Sequence, residues 1–186
     1  MLYCSRCGQI LPPGQRICVD CYTVPQPARP ACKSSRCLQL GNYYLERQRP
    51  GLAALFYRAV LLVNPNNWEA YFNLGCQAWQ QGKIDKALAW WEHSIKINPD
   101  NYLGHYNLGT YHLYNRNLSA ARYHLTKVRQ LKPNYLAARI NLGTVYLLLG
   151  MPAAAREEYN LVLKQDPQHK GARRGLALLA KVAKNR

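Results

Sequence analysis

Apolar and aromatic residues recur with helical spacing in short runs that alternate along the chain. The first run between residues 68 and 99 comprises Trp68, Tyr71, Leu74, Gly75 and Ala78. The second comprises Ala87, Leu88, Trp91 and Ile95. Steps of three and four residues predict one apolar face on each of two helices. Gly82 separates the runs, and Pro99 ends the second because proline lacks the amide donor that a helix needs.

This pattern repeats along the chain with a constant period of 34 residues. Four markers keep the step: a Leu-Gly pair, an alanine, a large residue four positions later, and a proline. They are Gly41, Gly75, Gly109 and Gly143; Ala53, Ala87, Ala121 and Ala155; Tyr57, Trp91, Leu125 and Tyr159; and Pro65, Pro99, Pro133 and Pro167. A period in this range predicts a solenoid of stacked helix pairs. A glycine inside a helix lowers helix propensity, so its recurrence predicts close packing against the partner helix.

The repeat resembles the tetratricopeptide repeat, whose 34-residue unit has a W-x2-LG-x2-Y, A-x3-F, A and P pattern. Trp68, Leu74, Gly75, Ala87 and Pro99 match it in the second repeat. The resemblance implies an all-α, right-handed superhelical helix-turn-helix solenoid. Gln48-Arg49-Pro50 replaces the usual glycine turn in the first repeat. The four predicted repeats span 34–67, 68–101, 102–135 and 136–167.

After the repeats, residues 168–186 are predicted to form a basic capping helix. Ala172, Leu176 and Leu179 form an apolar stripe that can cover the last repeat. The basic residues of this helix predict weak, salt-sensitive attraction to an acidic surface. Those assigned to the basic surface are Arg173, Arg174, Lys181 and Lys184.

The N-terminal segment, residues 1–22, contains four cysteines in the pattern C-x2-C-x10-C-x2-C. Two such pairs can place four thiolates around one structural Zn²⁺. A redox function would need a βαβ context that this length cannot supply. The segment resembles a short zinc ribbon, and the proline-rich residues 23–33 predict a linker. The predicted ligands are Cys4, Cys7, Cys18 and Cys21.

The remaining cysteines and two of the histidines are predicted to pack in the repeats rather than to bind metal. Cys32, Cys37 and Cys76 lack the spacing of a second zinc site. His105 and His112 are seven residues apart on one helical face, but no third ligand accompanies them in the pattern.

Composition narrows the class of protein. The 186 residues are 48% hydrophobic and carry a net charge of +16, which favours an acidic partner. No apolar run of membrane-spanning length and no secretory signal is present, so a cytoplasmic or other reducing compartment is expected. The chain has no nucleophile–base pair, paired carboxylates or phosphate loop, and it is predicted not to be an enzyme.

The resemblance implies that the first helix of each repeat lines a concave groove that binds a partner segment. Asn73, Asn107 and Asn141 occupy its sixth position, where a carboxamide can donate to and accept from a peptide backbone. The alternative is that Asn-Leu-Gly is simply repeat consensus. Aromatic candidates for the same groove are Phe72, Trp79, Tyr106 and Tyr114.

A second binding mode of the family is a clamp for a peptide carboxylate. Asn42 and Asn73 match that clamp, but Leu38, Leu103 and Asn107 stand where its basic residues belong. The clamp is therefore predicted to be absent. The chain is predicted to be a noncatalytic protein-interaction scaffold or assembly adapter, with the zinc ribbon as a second contact module. The alternative is an RNA- or ribosome-associated protein that uses the ribbon and the basic surface.

Protein purified without chelator should contain one zinc per chain, measurable by elemental analysis. Changing Cys18 and Cys21 to serine should abolish metal binding and leave the helical circular dichroism of the repeats intact. Zinc-free protein, or loss of all helicity in the variant, would contradict the assignment.

Overall fold

The computed structural model describes Leu2–Tyr3, Ile10–Leu11 and residues 34–184. The described residues form two short strands and nine helices. Strands β1 and β2 are antiparallel, with Leu2 opposite Leu11 and Tyr3 opposite Ile10. The predicted zinc ligands and the predicted linker lie outside the described residues. The elements are β1 Leu2–Tyr3, β2 Ile10–Leu11, α1 Ser34–Glu46, α2 Pro50–Val63, α3 Trp68–Gln80, α4 Ile84–Ile97, α5 Tyr102–Tyr114, α6 Leu118–Leu131, α7 Leu136–Leu148, α8 Pro152–Gln165 and α9 Lys170–Lys184.

The helices keep the period of the sequence. First helices (α1, α3, α5, α7 and α9) begin one repeat period apart, and so do the second helices (α2, α4, α6 and α8). The predicted all-α architecture is confirmed for residues 34–184. The chain divides into two compact units, Met1–Trp90 and Trp91–Arg186, called the N-terminal and C-terminal units below. None of the described helices has the length and hydrophobicity needed to cross a lipid bilayer.

Three of the four sequence markers, namely the glycines, the alanines and the large residues, lie in the core, whereas the prolines are exposed. The recurring alanines and the large residues four positions later are all buried, with at most 3% of their surface exposed. A Cβ added to Gly109 would lie 2.8 Å from Leu125, and one added to Gly143 would lie 2.7 Å from the ring of Tyr159. Neither contact is tolerable in a close-packed core. The glycine prediction is therefore confirmed, because these positions admit no side chain.

Recurring side-chain hydrogen bonds fix the helix ends. Asn67 and Asn101, at the same position of successive repeats, accept from the backbone amides of Ala70 and Gly104 at the starts of α3 and α5. Such N-caps satisfy amides that have no partner within the helix. The turn between the helices of each pair also recurs, with a left-handed φ at Gln48, Gly82, Arg116 and Gly150.

Glu158 is a buried acid that joins three helices of the C-terminal unit. It lies on α8, is 2% exposed, and accepts from Arg129 of α6 and Arg139 of α7, each at 2.7 Å. A buried carboxylate is tolerated only when it is paired and hydrogen-bonded. The hydrogen bond with Glu158 raises the pKa of Arg129, against an opposing effect of burial.

The turn positions predict opposite effects of substitution. Gly82→Ala should destabilise the fold by about 1 kcal/mol, since a Cβ is strained at this left-handed φ and meets no other atom. Arg116→Gly should relieve the same strain and stabilise by about 0.5 kcal/mol after the entropy cost of glycine.

Urea unfolding followed by circular dichroism measures both changes. Gly51→Ala is the matched control, because its added Cβ also meets nothing and Gly51 lies in helix α2, where alanine is favoured. That control should be neutral or stabilising. Equal effects of Gly82→Ala and Gly51→Ala would refute the turn argument.

Candidate functional site

In the N-terminal unit, Asn42 of α1 forms hydrogen bonds with side chains of two neighbouring helices. Its Oδ1 accepts from the hydroxyl of Tyr57 at 2.8 Å and from Nδ2 of Asn73 at 3.3 Å. These residues lie on α1, α2 and α3. The predicted groove residue Asn73 thus donates to the preceding first helix. On the same helix, Phe72 is half-buried and Trp79 is 43% exposed.

The C-terminal unit repeats this arrangement in the same register. Asn141 of α7 donates from Nδ2 to Oγ1 of Thr110 on α5 at 3.0 Å. Thr144, one repeat period after Thr110, lies 3.2 Å from the hydroxyl of Tyr159 on α8. We call these cross-helix hydrogen bonds the polar seam of each unit. Sequence reasoning found Asn73 and Asn141 and assigned Asn42 to the clamp, but it missed their hydrogen bonds and missed Thr110, which has the same register as Asn42.

A row of exposed apolar side chains accompanies the seam of the C-terminal unit. Tyr114 is 80% exposed, Leu148 is 40% exposed and Val182 is 44% exposed, and they occupy one repeat position on α5, α7 and α9. Each follows the sixth position of its helix by seven residues, which is about two turns. Tyr114 therefore lies on the same face of α5 as Asn107, and Leu148 on the same face of α7 as Asn141, whereas the sixth residue of α9 is the buried Gly175. We call this apolar row and the adjacent polar seam the first-helix face. The sequence prediction included Tyr114 and missed the other two.

Tyrosines line the beginning of α5 and α7. The ring of Tyr135 meets that of Tyr106 at 5.1 Å and that of Tyr102 at 5.6 Å, both edge to face. Burial, followed by the two neighbouring tyrosines, raises the pKa of Tyr135. Tyr106 is half-buried, as is Asn107 beside it. This part of α5 is therefore packed, in contrast to the exposed Tyr114.

The predicted basic surface lies on α9. Arg173, Arg174 and Lys181 are exposed, and Nε of Arg173 donates to the carbonyl of Pro167 at 3.1 Å. The side chain of Lys184 lies outside the described residues. The apolar side of the helix is formed by Ala172 and Leu179, which are buried, and Leu176, which is half-buried.

The histidines of α5 and α6 form a packed cluster. His105 is 3% exposed, and its Nε2 donates to the carbonyl of Pro99 at 3.2 Å. Its Nδ1 is therefore the acceptor for the proton on Nδ1 of His124, 2.9 Å away. Burial, then His105 and His112, lower the pKa of His124 to about 4. Sequence reasoning missed His124, which stacks on His112.

Whether the histidines and cysteines of the described residues could bind a metal ion is a separate question. Within the part of the chain that the structure describes, no group of three or more His, Cys, Asp or Glu side chains could hold a metal ion. Cys37 is buried, as the packing prediction expected, but it is also disulfide-bonded, which that prediction did not include. Cys76 is half-buried in α3. Cys4, Cys7, Cys18 and Cys21, like Cys32, lie outside the described residues.

Solved structures share this fold. YrrB, described as a tetratricopeptide repeat protein with an unusual peptide-binding site, is 21% identical with a TM-score of 0.74, over 83% of this chain and 79% of that one. A MamA protein is 22% identical with a TM-score of 0.69, over 80% and 81%. The first repeat domain of Spaghetti (RPAP3), bound to the HSP90 peptide SRMEEVD, is 19% identical with a TM-score of 0.58, over 62% and 92%. A search of the curated proteins finds no match.

Two family models match parts of the sequence, and both describe the tetratricopeptide repeat. One covers residues 68–101 and the other covers residues 112–182. Both ranges lie within the array of regularly spaced helix pairs. The chain thus contains tetratricopeptide repeats over these residues.

Proposed function

We propose that the chain is a noncatalytic interaction scaffold that binds a segment of a partner protein on the first-helix face of its C-terminal unit. The observation that carries this proposal is the apolar row of Tyr114, Leu148 and Val182, exposed at one register position of three successive first helices. Exposed apolar side chains that align in this way offer successive anchor sites to an extended or helical segment.

The polar seam gives the same face a way to recognise a peptide backbone. Asn141 uses one donor hydrogen on Thr110, and a carboxamide has a second donor and an oxygen acceptor as well. The seam bond also holds the carboxamide in one orientation. A preorganised polar group loses less entropy when it binds a ligand.

The comparisons support the binding of a peptide. YrrB is described as having a peptide-binding site, and the Spaghetti domain is described in complex with an HSP90 peptide. The carboxylate clamp lacks its basic residues here, because Leu103 and Asn107 occupy their positions. We therefore expect apolar anchors, rather than a terminal carboxylate, to determine which segment binds.

Charge at the end of the face suggests an acidic portion in the partner segment. Arg174 and Lys181 are exposed on α9, the helix that carries Val182. They would add sequence-independent attraction to an acidic segment without defining specificity. The predicted zinc ribbon of residues 1–22 would supply a second contact module. An RNA- or ribosome-associated role is the alternative, and it requires binding through the ribbon and the basic residues.

Loss of the apolar row should weaken binding of a peptide selected against the full-length chain from a random display library. Leu148→Ala should reduce affinity about tenfold, since a buried leucine contributes roughly 1.5 kcal/mol to such a contact. Fluorescence anisotropy measures the affinity. Leu62→Ala is the matched control, because Leu62 is 77% exposed on a second helix.

Two further sets of variants test whether Asn141 contacts the peptide directly and whether the α9 cations add only general attraction. Thr110→Val removes the acceptor of the seam but keeps Asn141, so it should weaken binding less than Asn141→Ala if the carboxamide contacts the peptide. Charge reversal at Arg174 and Lys181 should weaken binding at low salt and have little effect at high salt. Equal peptide affinity of the Leu148→Ala and Leu62→Ala variants would refute the proposed site. Salt-resistant, sequence-selective RNA binding that requires the zinc would favour the RNA- or ribosome-associated role.

A further inference from the structure

A cleft of about 480 Å³ lies beside α6, and none of its lining residues belongs to the first-helix face. Six of its eight lining residues come from α6, and the other two are Tyr146 of α7 and Met151, which precedes α8. The lining contains two cations, four hydroxyl groups and one carboxamide, and no acidic residue. The α6 residues are Ser119, Arg122, Tyr123, Thr126, Lys127 and Gln130.

The helical repeat arranges these groups in a definite order. Ser119, Tyr123, Thr126 and Gln130 fall within about 60° of one another around α6, since each residue advances about 100°. Arg122 and Lys127 lie on opposite sides of this strip, about 140° apart and roughly 7.5 Å apart along the axis. The cleft therefore has a floor of uncharged hydrogen-bonding groups with one long cationic side chain at each edge.

The two cations are not neutralised by neighbouring acids. Helix α6 contains no Asp or Glu, and Arg122 and Lys127 are both exposed. Among the described residues, Glu158 forms ion pairs with Arg129 and Arg139, and no ion pair includes Arg122 or Lys127. Two uncompensated charges beside hydroxyl donors favour a compact anion, and a phosphate monoester carries a charge of about −2 near neutral pH.

Tyr123 is held in place at the floor of the cleft. Its ring meets those of His105 at 6.4 Å and His124 at 5.1 Å, both nearly edge to face. These histidines are packed against each other between α5 and α6. The hydroxyl of Tyr123 thus projects from a ring whose orientation is set by the core, while 59% of the residue remains exposed.

The equivalent surface of α8 lacks this chemistry. The same register positions there hold Ala153, Arg156, Glu157, Asn160, Leu161 and Lys164, and they line a cleft of about 680 Å³. Glu157 replaces Tyr123 next to the arginine, and Leu161 replaces Lys127. An anion at this second cleft would meet a carboxylate and no hydroxyl group. Helix α8 is thus an internal comparison for α6.

We infer that the α6 cleft binds a single phosphate group carried on a serine or threonine of a partner protein, with Arg122 and Lys127 as its charge partners. The cleft lies within the roughly 300–1,000 Å³ range of small-ligand sites, enough for a phosphorylated side chain and a neighbouring residue against Met151. Nucleic acid is disfavoured, because useful affinity for it at physiological salt relies on many phosphate contacts, and two cations neutralise only one or two.

The test uses the full-length chain and an oriented peptide library with one fixed central phosphoserine, beside the same library with serine or glutamate at that position. The chain should retain phosphoserine peptides preferentially. For a retained peptide, the paired variant Arg122→Ala and Lys127→Ala should lower affinity about tenfold or more by fluorescence anisotropy. The paired variant Arg156→Ala and Lys164→Ala, on the equivalent face of α8, should change it by less than about twofold.

Two control variants distinguish phosphopeptide binding at the α6 cleft from binding at the first-helix face and from general attraction by positive charge. Leu148→Ala should leave phosphopeptide binding unchanged, so the two surfaces can fail independently. Arg173→Ala with Arg174→Ala should also leave it unchanged. The inference is overturned if serine or glutamate peptides bind as well as phosphoserine peptides, if no phosphopeptide is retained, if the α8 variant weakens binding as much as the α6 variant, or if oligouridylate displaces the peptide from the cleft at moderate salt.

Discussion

In two of the helix pairs, a tyrosine ring of the second helix packs directly on the backbone of a glycine in the first helix. This contact is possible only because glycine has no side chain. The rings of Tyr57 and Tyr159 pack directly on the backbone of Gly41 and Gly143, where a Cβ would overlap them. Tyr159 also fills the space beside Gly175 on α9, so one ring separates two first helices of the C-terminal unit. Close approach at the glycine fixes the register of the first helix against the second, and the other contacts follow from that register.

The polar seam shows how the same residues contribute both to stability and to the proposed binding surface. Tyr57 donates to Asn42, while its buried ring excludes water from the helix pair. Burial raises the pKa of Tyr57 to about 12, so the hydroxyl stays protonated and remains a donor across the physiological range. In the C-terminal unit Asn141 and Thr110 take corresponding positions. A substitution in the seam therefore alters packing as well as any contact with a peptide, and the apolar row gives a cleaner test.

The sequence was sufficient to predict the helix pairs and their core, because glycine, alanine and the large residue must recur wherever the same close contact recurs. It predicted a break at Gly82, but not that Gln48 and Arg116 adopt the same left-handed turn, since propensity disfavours it for these residues. It paired His105 with His112 from their spacing along one helix. The partner that contacts His105 lies on another helix, at His124, and spacing within one helix cannot reveal it.

The candidate sites were less predictable than the fold. Exposure at Leu148 and Val182 depends on how each first helix is covered by its neighbours, and a leucine or valine in a helical pattern is usually assigned to the core. The two cations of the α6 cleft contribute to the net charge of +16, and that total does not show that hydroxyl groups lie between them. The cysteine spacing at the N-terminus predicts a specific zinc site, and the ligands of that site lie outside the described residues.

The most direct measurement of the central claim is a crystal structure of the chain with a peptide selected for binding. The account predicts density for the peptide across α5, α7 and α9, with its apolar side chains against Tyr114, Leu148 and Val182. Density for the peptide against the second helices α6 and α8 alone, with the first-helix face empty, would contradict it.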